Sequence, residues 1–104
     1  MPPKIICLCG SIRFKKTFML QYERLSMTGA ICLLPVFTQA SEEVSLLLDE
    51  LHKEKIKICD EIFVVNPNNY IGEGLKRELE YAQKLKKSIS YLELWPENST
   101  KGVS

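Results

Sequence analysis

The segment from Gly72 to Ala82 contains the residue types that could carry out chemistry. Gly72 and Gly74 belong to a short loop that leads into a predicted helix, and Glu78 lies within the first two turns of that helix. Backbone N–H groups at a helix start attract anions, and glycine allows a ligand to approach the chain closely. A carboxylate beside such a loop could act as a nucleophile or base toward a bound sugar or nucleotide. Alternatively, Glu78 only complements the positive end of the helix dipole.

A second candidate is the segment Gly10-Ser11-Ile12-Arg13, which directly follows the first predicted strand. A glycine, a hydroxyl and a guanidinium at a helix start could form a phosphate-binding turn. The segment lacks the Gly-Lys-Ser/Thr element of a P-loop and the second and third glycines of the dinucleotide fingerprint. The alternative is a tight turn in which Ser11 caps the following helix. The residues alone leave both interpretations open.

Two isolated polar residues could also contribute to a site. His52 is the only histidine of the chain, and it could donate a proton near neutral pH or serve as a packing residue of its helix. Asn66 follows the third predicted strand, where it could hydrogen-bond a ribose or a base, or only form a turn. The cysteines, at positions 7, 9, 32 and 59, lack the paired spacing of zinc ligands. We therefore expect buried, reduced thiols and no metal site.

The elements that must position these residues follow from the spacing of apolar side chains. Apolar runs predict strands at 4–9, 30–36, 61–65 and 88–93. Helical periodicity predicts helices over 12–26, over 41–58, and from Gly72 or Gly74 to about Lys87. Strand and helix in alternation predict a single-domain three-layer α/β sandwich, flavodoxin- or Rossmann-like, with about four parallel strands.

Ligands of such folds bind beyond the carboxyl ends of the strands, and the loops 10–13, 36–40 and 66–74 lie at those ends. On the second predicted helix, apolar spacing predicts one buried stripe: Val44, Leu47, Leu48, Leu51 and Ile58. Residues 1–96 are expected to form the domain, which Trp95-Pro96 ends, and residues 97–104 are expected to form a flexible tail.

Composition excludes several classes of function. The chain has 104 residues and a formal net charge of +1, which provides no electrostatic basis for binding nucleic acid or an anionic membrane. Its apolar runs are too short to span a bilayer, and we expect no signal peptide. We expect a cytoplasmic protein. A small four-stranded sheet has exposed edges, so we also expect a homodimer or higher homo-oligomer.

Three short motifs, in this order along the chain, resemble the nucleoside 2-deoxyribosyltransferase superfamily. They are residues 8–14 (LCGSIRF), residues 51–53 (LHK) with 59–62 (CDEI), and residues 70–74 (YIGEG) with 78–82 (ELEYA). The likeness covers roughly residues 4–93 and is greatest to short bacterial and phage members. Deoxynucleoside 5′-monophosphate N-glycosidases belong to the same superfamily.

The resemblance implies a retaining attack on an N-glycosidic bond, with Glu78 as the nucleophile that forms a covalent glycosyl ester. It also implies that Ser11, Ile12 and Arg13 match the stretch that binds phosphate in the monophosphate hydrolases. The implied ligand is a small-molecule nucleotide or nucleoside, and the implied chemistry requires neither a cofactor nor a metal.

The chain departs from the superfamily pattern at three positions. The superfamily often has a tyrosine where Cys7 stands, and aspartates where Gly72 and His52 stand. Two alternatives to an enzyme follow from these departures. One is a catalytically weak nucleotide-binding or sensing module of the same fold, and the other is a structural protein that keeps the fold without a ligand.

Overall fold

The computed structural model describes residues 2–93, so the predicted domain end at Trp95-Pro96 and the predicted tail over 97–104 lie outside the described residues. The strands are β1 (Ile5–Cys9), β2 (Ile31–Leu33), β3 (Glu61–Val64) and β4 (Ser88–Tyr91), and the α-helices are α1 (Lys15–Ser26), α2 (Glu42–Ile58) and α3 (Glu73–Lys84). Short 3-10 helices occupy Ile12–Phe14 and Pro67–Asn69. Within residues 2–93, no helix is both long and apolar enough to cross a membrane.

The four strands form one parallel sheet in the order β2-β1-β3-β4. The chain moves outward from β1 in one direction to β2 and in the other direction to β3 and β4. The carboxyl ends of β1 and β3 therefore flank the point where the strand order reverses, which is where parallel sheets bind ligands. The predicted fold class, a three-layer α/β sandwich with four parallel strands, is confirmed.

The central strand β1 contributes side chains to a separate core on each face of the sheet. Ile6 and Leu8 pack on the side of α1, in a cluster with Phe18, Leu25, Phe63 and Val65. Cys7 and Cys9 face the opposite side and pack in a cluster that includes Ile56 of α2 and both Leu75 and Ala82 of α3. This alternation is the ordinary period of two of a strand. It brings both thiols of β1 beneath α2 and α3.

Among the predicted elements, the second strand and the third helix differ most from the structure in their bounds. The second strand covers Ile31–Leu33, because this edge strand pairs only with residues 5–7 of β1, and Pro35 has no N–H with which to continue the ladder. The third helix ends at Lys84, short of the predicted Lys87. Lys86 has a φ of 57°, the left-handed conformation that commonly terminates a helix.

The predicted buried stripe of α2 is wrong. Val44, Leu47, Leu51 and Ile58 are 44%, 58%, 46% and 62% exposed, Leu48 is half-buried, and the buried residues of this helix are His52 and Ile56. A helix of 17 residues is about 25 Å long, whereas a strand of five residues spans about 17 Å. The first turns of α2 therefore extend past the carboxyl edge of the sheet.

Candidate functional site

Glu78 occupies a core-facing position of α3. Leu75 and Ala82, the two buried residues of this helix, lie three residues before and four residues after it, and such spacings share one helix face. A carboxylate therefore stands where the helical pattern calls for an apolar side chain. Its side chain is 30% exposed, so one part is covered by the protein and another part can reach a ligand.

His52 is brought to the same place by α2. It lies four residues before the buried Ile56, on the face of α2 that covers the sheet, and only 8% of the residue is exposed. The ring lies over the second half of β1, in contact with Cys7 and Cys9. The burial of His52 agrees with a packing role, and its predicted catalytic role stays a prediction.

Four side chains meet between β1, α2 and α3. The His52 Nε2 atom lies 3.3 Å from the Cys9 sulfur, 3.9 Å from the Cys7 sulfur and 3.7 Å from the Glu78 Oε1 atom. The two sulfur atoms are 4.0 Å apart. The Nδ1 atom of His52 is buried and has no hydrogen-bond partner within residues 2–93. This group (Cys7, Cys9, His52 and Glu78) is called the thiol–imidazole cluster below.

The pKa values of the two thiols in the cluster are shifted in opposite directions. The hydrogen bond from Cys9, together with the hydrogen bond and positive charge of His52, lowers the pKa of Cys7 to about 6 against the opposing effect of burial. The hydrogen bond to Cys7 and complete burial raise the pKa of Cys9 well above its usual range. The close contact of the two sulfurs therefore favours ionisation of Cys7 before that of Cys9.

The imidazole and the carboxylate also influence each other. Burial opposes the charging of His52, but the hydrogen bond to Cys7 and the negative charges of Glu78 and Cys7 raise its pKa above the usual value. Burial raises the pKa of Glu78, and the positive charge of His52 opposes that rise. Burial alone would disfavour the charged forms of both His52 and Glu78, and each charged group stabilises the other.

A cavity of about 430 Å³ opens beside Glu78 and His52 at the carboxyl edge of the sheet. Gly10 and Ile12 border it on one side, and Asp49 and further residues of the overhanging α2 border it on another. Its remaining wall is the loop after β2. The Lys55 ammonium group of α2 donates a hydrogen bond of 2.6 Å to the Leu34 carbonyl and so joins this loop to the helix. The volume suits a small-molecule ligand.

The four residues predicted to bind phosphate divide between two places. Gly10 and Ile12 border the cavity, whereas Ser11 and Arg13 are not among its lining residues. The Ser11 hydroxyl accepts a hydrogen bond of 3.4 Å from the Arg13 N–H and caps the 3-10 helix. A Cβ atom at Gly10 would lie 2.5 Å from the Val65 carbonyl oxygen. Glycine is therefore required there by the close approach of β3.

Arg13 is held at the switch point by aromatic rings. Its guanidinium carbon lies 4.0 Å from the ring centre of Tyr70 and 5.2 Å from that of Phe14. Stacking on an aromatic face orients a guanidinium while leaving its N–H groups free to bind an anion. Among residues 2–93, no carboxylate forms an ion pair with Arg13.

Asn66, predicted to bind a ribose or a base, is fully buried. Its Nδ2 donates to the Glu93 carbonyl and its Oδ1 accepts from the Glu93 N–H, both at 2.9 Å. Both ends of the amide are therefore engaged in joining the ends of β3 and β4. A direct role in ligand binding stays a prediction, and the contacts of this side chain support a positioning role.

Of the two predicted glycines before α3, Gly72 is the N-cap of the helix, and a Cβ atom there would approach the Tyr70 hydroxyl to 3.1 Å. Gly74 borders a second groove of about 620 Å³, on the outer side of Glu78 between α2 and α3. Neither glycine lines the cavity beside His52. Their predicted role in ligand binding remains a prediction.

Sequence reasoning missed three members of this site. Cys7 and Cys9 were expected only as buried thiols, and Asp49, which borders both the cavity and the outer groove, was not singled out. The signal for the cysteines was their i, i+2 spacing in a strand that leads directly into the Gly10 loop. The signal for Asp49 was its position three residues before His52, on one face of the helix.

Comparisons with known proteins agree with this architecture. A family model described as a domain of unknown function (DUF4406) matches residues 7–91. Among solved structures, the chain is similar to a 2-desoxiribosyltransferase from Leishmania mexicana, with 21% sequence identity and a TM-score of 0.68. The match covers 86% of this chain and 63% of that protein, so the chain spans less than two thirds of its length. No curated protein matches the chain. The predicted resemblance to the deoxyribosyltransferase superfamily is thereby confirmed for the fold.

Proposed function

The chain belongs to the DUF4406 family, and from this membership and its deoxyribosyltransferase-like fold we propose that it is an enzyme that cleaves the N-glycosidic bond of a nucleotide or nucleoside. The observation that carries the proposal is the placement of Glu78. Its carboxylate occupies a core-facing helix position, is only partly covered, and borders the cavity at the carboxyl edge of the sheet.

In the proposed reaction, a Glu78 carboxylate oxygen forms a bond to the anomeric carbon while the bond from that carbon to the base nitrogen breaks. The electron pair of the broken bond leaves with the base, which takes a proton from water in the cavity. A second water, which gives its proton to the hydroxide left by the first, then attacks the anomeric carbon, breaks the bond from that carbon to Glu78, releases the sugar and restores the carboxylate. Transfer differs from hydrolysis only in that a second base replaces this water.

His52 acts on Glu78 in this proposal. Its Nε2 atom is directed at the thiols and at the Glu78 carboxylate, and its Nδ1 atom is buried. A positive imidazole beside Glu78 stabilises the ionised carboxylate that the attack requires. The donation of a proton to the leaving base, considered from the sequence, would need a nitrogen directed into the cavity. We therefore assign His52 a positioning role.

A phosphorylated ligand is supported by Arg13. Its guanidinium is fixed on Tyr70 beside the 3-10 turn that follows Gly10, and Gly10 itself borders the cavity. A sugar bound against Glu78 could extend its 5′-phosphate toward this turn. We propose a nucleoside monophosphate as the preferred substrate class, with hydrolysis as the favoured outcome.

The test is release of free base from each deoxynucleoside monophosphate and from the matching nucleoside, followed by chromatography. The wild-type protein is compared with Glu78→Gln, which keeps the shape of the side chain, and with Glu23→Gln, an exposed glutamate of α1 on the opposite side of the sheet. We expect base release by wild type and Glu23→Gln, and a loss of about 1,000-fold or more in Glu78→Gln.

Equal rates in wild type and Glu78→Gln would refute Glu78 as the nucleophile. If no substrate releases base, a rise in melting temperature with the same nucleotides would favour the alternative, a nucleotide-binding or sensing module. That alternative is favoured by two departures of the chain: Gly72 stands where the superfamily often has an aspartate, and Cys7 where it often has a tyrosine. If the protein neither releases base nor shows a thermal shift, the remaining alternative is a structural protein.

A homodimer also remains a proposal. The exposed apolar residues Val44, Leu47 and Leu51 follow one another at spacings of three and four along the overhanging part of α2, which makes them one helix face. Leu51 also borders the cavity. A second copy packed on this face would cover apolar surface and add a wall to the cavity.

A further inference from the structure

Three buried side chains bring metal-binding atoms together in the thiol–imidazole cluster. Cys7, Cys9 and His52 each provide one donor atom, and these atoms all lie within 4.8 Å of one another. Both thiols are fully buried, and His52 is nearly so. The donors are soft sulfur and imidazole nitrogen, the set that zinc prefers in proteins.

The spacing of these atoms fits a tetrahedral ion. With Zn–S bonds of about 2.3 Å and Zn–N bonds of about 2.0 Å, a tetrahedron has edges of about 3.8 Å between sulfurs and about 3.5 Å between sulfur and nitrogen. The observed distances are 4.0 Å between the Cys7 and Cys9 sulfurs, and 3.9 Å and 3.3 Å from these sulfurs to the His52 Nε2 atom. Each edge is within a few tenths of an ångström of the ideal.

A fourth ligand is available from α3. The Glu78 Oε1 atom lies 3.7 Å from the His52 Nε2 atom, against about 3.3 Å for a tetrahedral edge between oxygen and nitrogen. The Glu78 oxygen is not among the donor atoms that all lie within 4.8 Å of one another, so the partly exposed Glu78 side chain must rotate toward the sulfurs to complete the tetrahedron. We propose that Cys7, Cys9, His52 and Glu78 form a binding site for Zn²⁺.

The sequence predicted no metal site, because the zinc motifs sought there place paired ligands close together in the sequence. Here the two thiols come from alternate residues of one strand, and the imidazole comes from a helix 43 residues after Cys9. Alternate residues of a strand share a face, so the sulfurs are brought together without the tight turn that ordinary zinc motifs use. The ion would enter from the cavity, which His52 and Glu78 border.

The surroundings of His52 set the expected strength of binding. A metal-ligating histidine usually donates its second ring N–H to a carboxylate or carbonyl, and loss of that partner typically weakens binding about 10- to 100-fold. The Nδ1 atom of His52 has no such partner among the described residues. We therefore expect weaker binding than at a structural zinc site, and an ion that a chelator removes without unfolding the protein.

Zinc bound in this way would control the proposed reaction, and this consequence rests on the proposed function. A Glu78 carboxylate that coordinates the ion cannot attack an anomeric carbon. We expect Zn²⁺ to inhibit base release reversibly, with activity restored by a chelator. The metal site itself does not depend on this activity and is tested separately.

The test uses full-length protein that has been reduced and freed of metal with a chelator. Co²⁺ is added as a spectroscopic probe, because thiolate coordination produces a sulfur-to-cobalt charge-transfer band in the near ultraviolet and tetrahedral geometry produces strong visible bands. We expect one equivalent of Co²⁺ to produce both, and Zn²⁺ to abolish both by displacement. Absence of the charge-transfer band, or a band that Zn²⁺ does not remove, would overturn the proposal.

Variants assign the ligands. Cys7→Ser and Cys9→Ser should each lower the charge-transfer intensity by about half or abolish binding, since two thiolates contribute to it. Cys32→Ser is the matched control: Cys32 is a half-buried thiol on β2, packed on the α1 side of the sheet, and this variant should bind as wild type does. Equal loss in all three variants would contradict the assignment.

Two measurements keep this result separate from folding and from catalysis. Circular dichroism identifies any variant that does not fold, and the wild-type titration remains decisive without the variants. Base release is then assayed with and without Zn²⁺. A cobalt spectrum without base release would support the metal site and count against the proposed enzyme, and base release without a cobalt spectrum would do the reverse.

Discussion

Replacement of Arg13 is the sharpest test of the proposed substrate class. The guanidinium is exposed, stacks on Tyr70 at 4.0 Å, and forms no ion pair among the described residues. The aromatic ring therefore orients the guanidinium, and its N–H groups have no partner within residues 2–93. If these groups bind a 5′-phosphate, Arg13→Gln removes that interaction and leaves the fold unchanged.

The size of the effect follows from the kind of contact. A hydrogen bond to a charged group contributes about 1.5–3 kcal/mol, which corresponds to a rise in Kd of about 10- to 150-fold. A nucleoside lacks the phosphate, so its Kd should change less than about twofold. Arg13→Lys keeps the charge but loses the planar fork and much of the stacking, and it should lie between wild type and Arg13→Gln.

The assay is calorimetric titration with a nucleoside monophosphate and with the same nucleoside, on protein that also carries Glu78→Gln so that no ligand is consumed. Arg24→Gln is the control, because Arg24 is also an exposed arginine placed over an aromatic ring, at 5.5 Å from the centre of Phe63. Equal weakening of nucleotide and nucleoside, or no weakening of either, would refute the phosphate-binding role of Arg13.

Two further changes test the scaffold and the oligomeric state. Asn66→Ala removes both hydrogen bonds to the Glu93 main chain and should lower the unfolding free energy by about 1–3 kcal/mol, so that thermal denaturation shows a melting temperature roughly 5–20 °C lower; an unchanged melting temperature would contradict the positioning role. Leu47→Glu places a charge on the exposed apolar face of α2 and should convert a dimer to a monomer in light scattering with little change in melting temperature. A wild type that is already monomeric would contradict the dimer.

Much of the fold could be predicted because its signals are local. Apolar runs mark the strands, and apolar residues at helical spacing mark the helices. Gly10 and Ser11 mark the turn after β1. The extent of burial along α2 could not be predicted in the same way. Periodicity identifies one face of a helix, but the exposure of Leu47 depends on how far the helix extends past strands of only three to five residues.

The site was predictable only in part, for a related reason. Glu78 was found from its place after a glycine-containing loop and from the superfamily motif. Its partners come from distant parts of the chain, because His52 and Cys9 meet across 43 residues only when α2 packs on β1. The engagement of Asn66 by Glu93 likewise joins residues 27 apart. Such encounters depend on tertiary packing, which no local pattern records.

The smallness of the thiols on β1 has a consequence for how this chain can vary. The His52 ring lies against Cys7 and Cys9, and all three side chains are buried between the sheet and two helices. A bulkier side chain at position 7, such as the tyrosine common in the superfamily, would claim the space of that ring. We therefore expect a larger side chain at position 7 to require a smaller one at position 52.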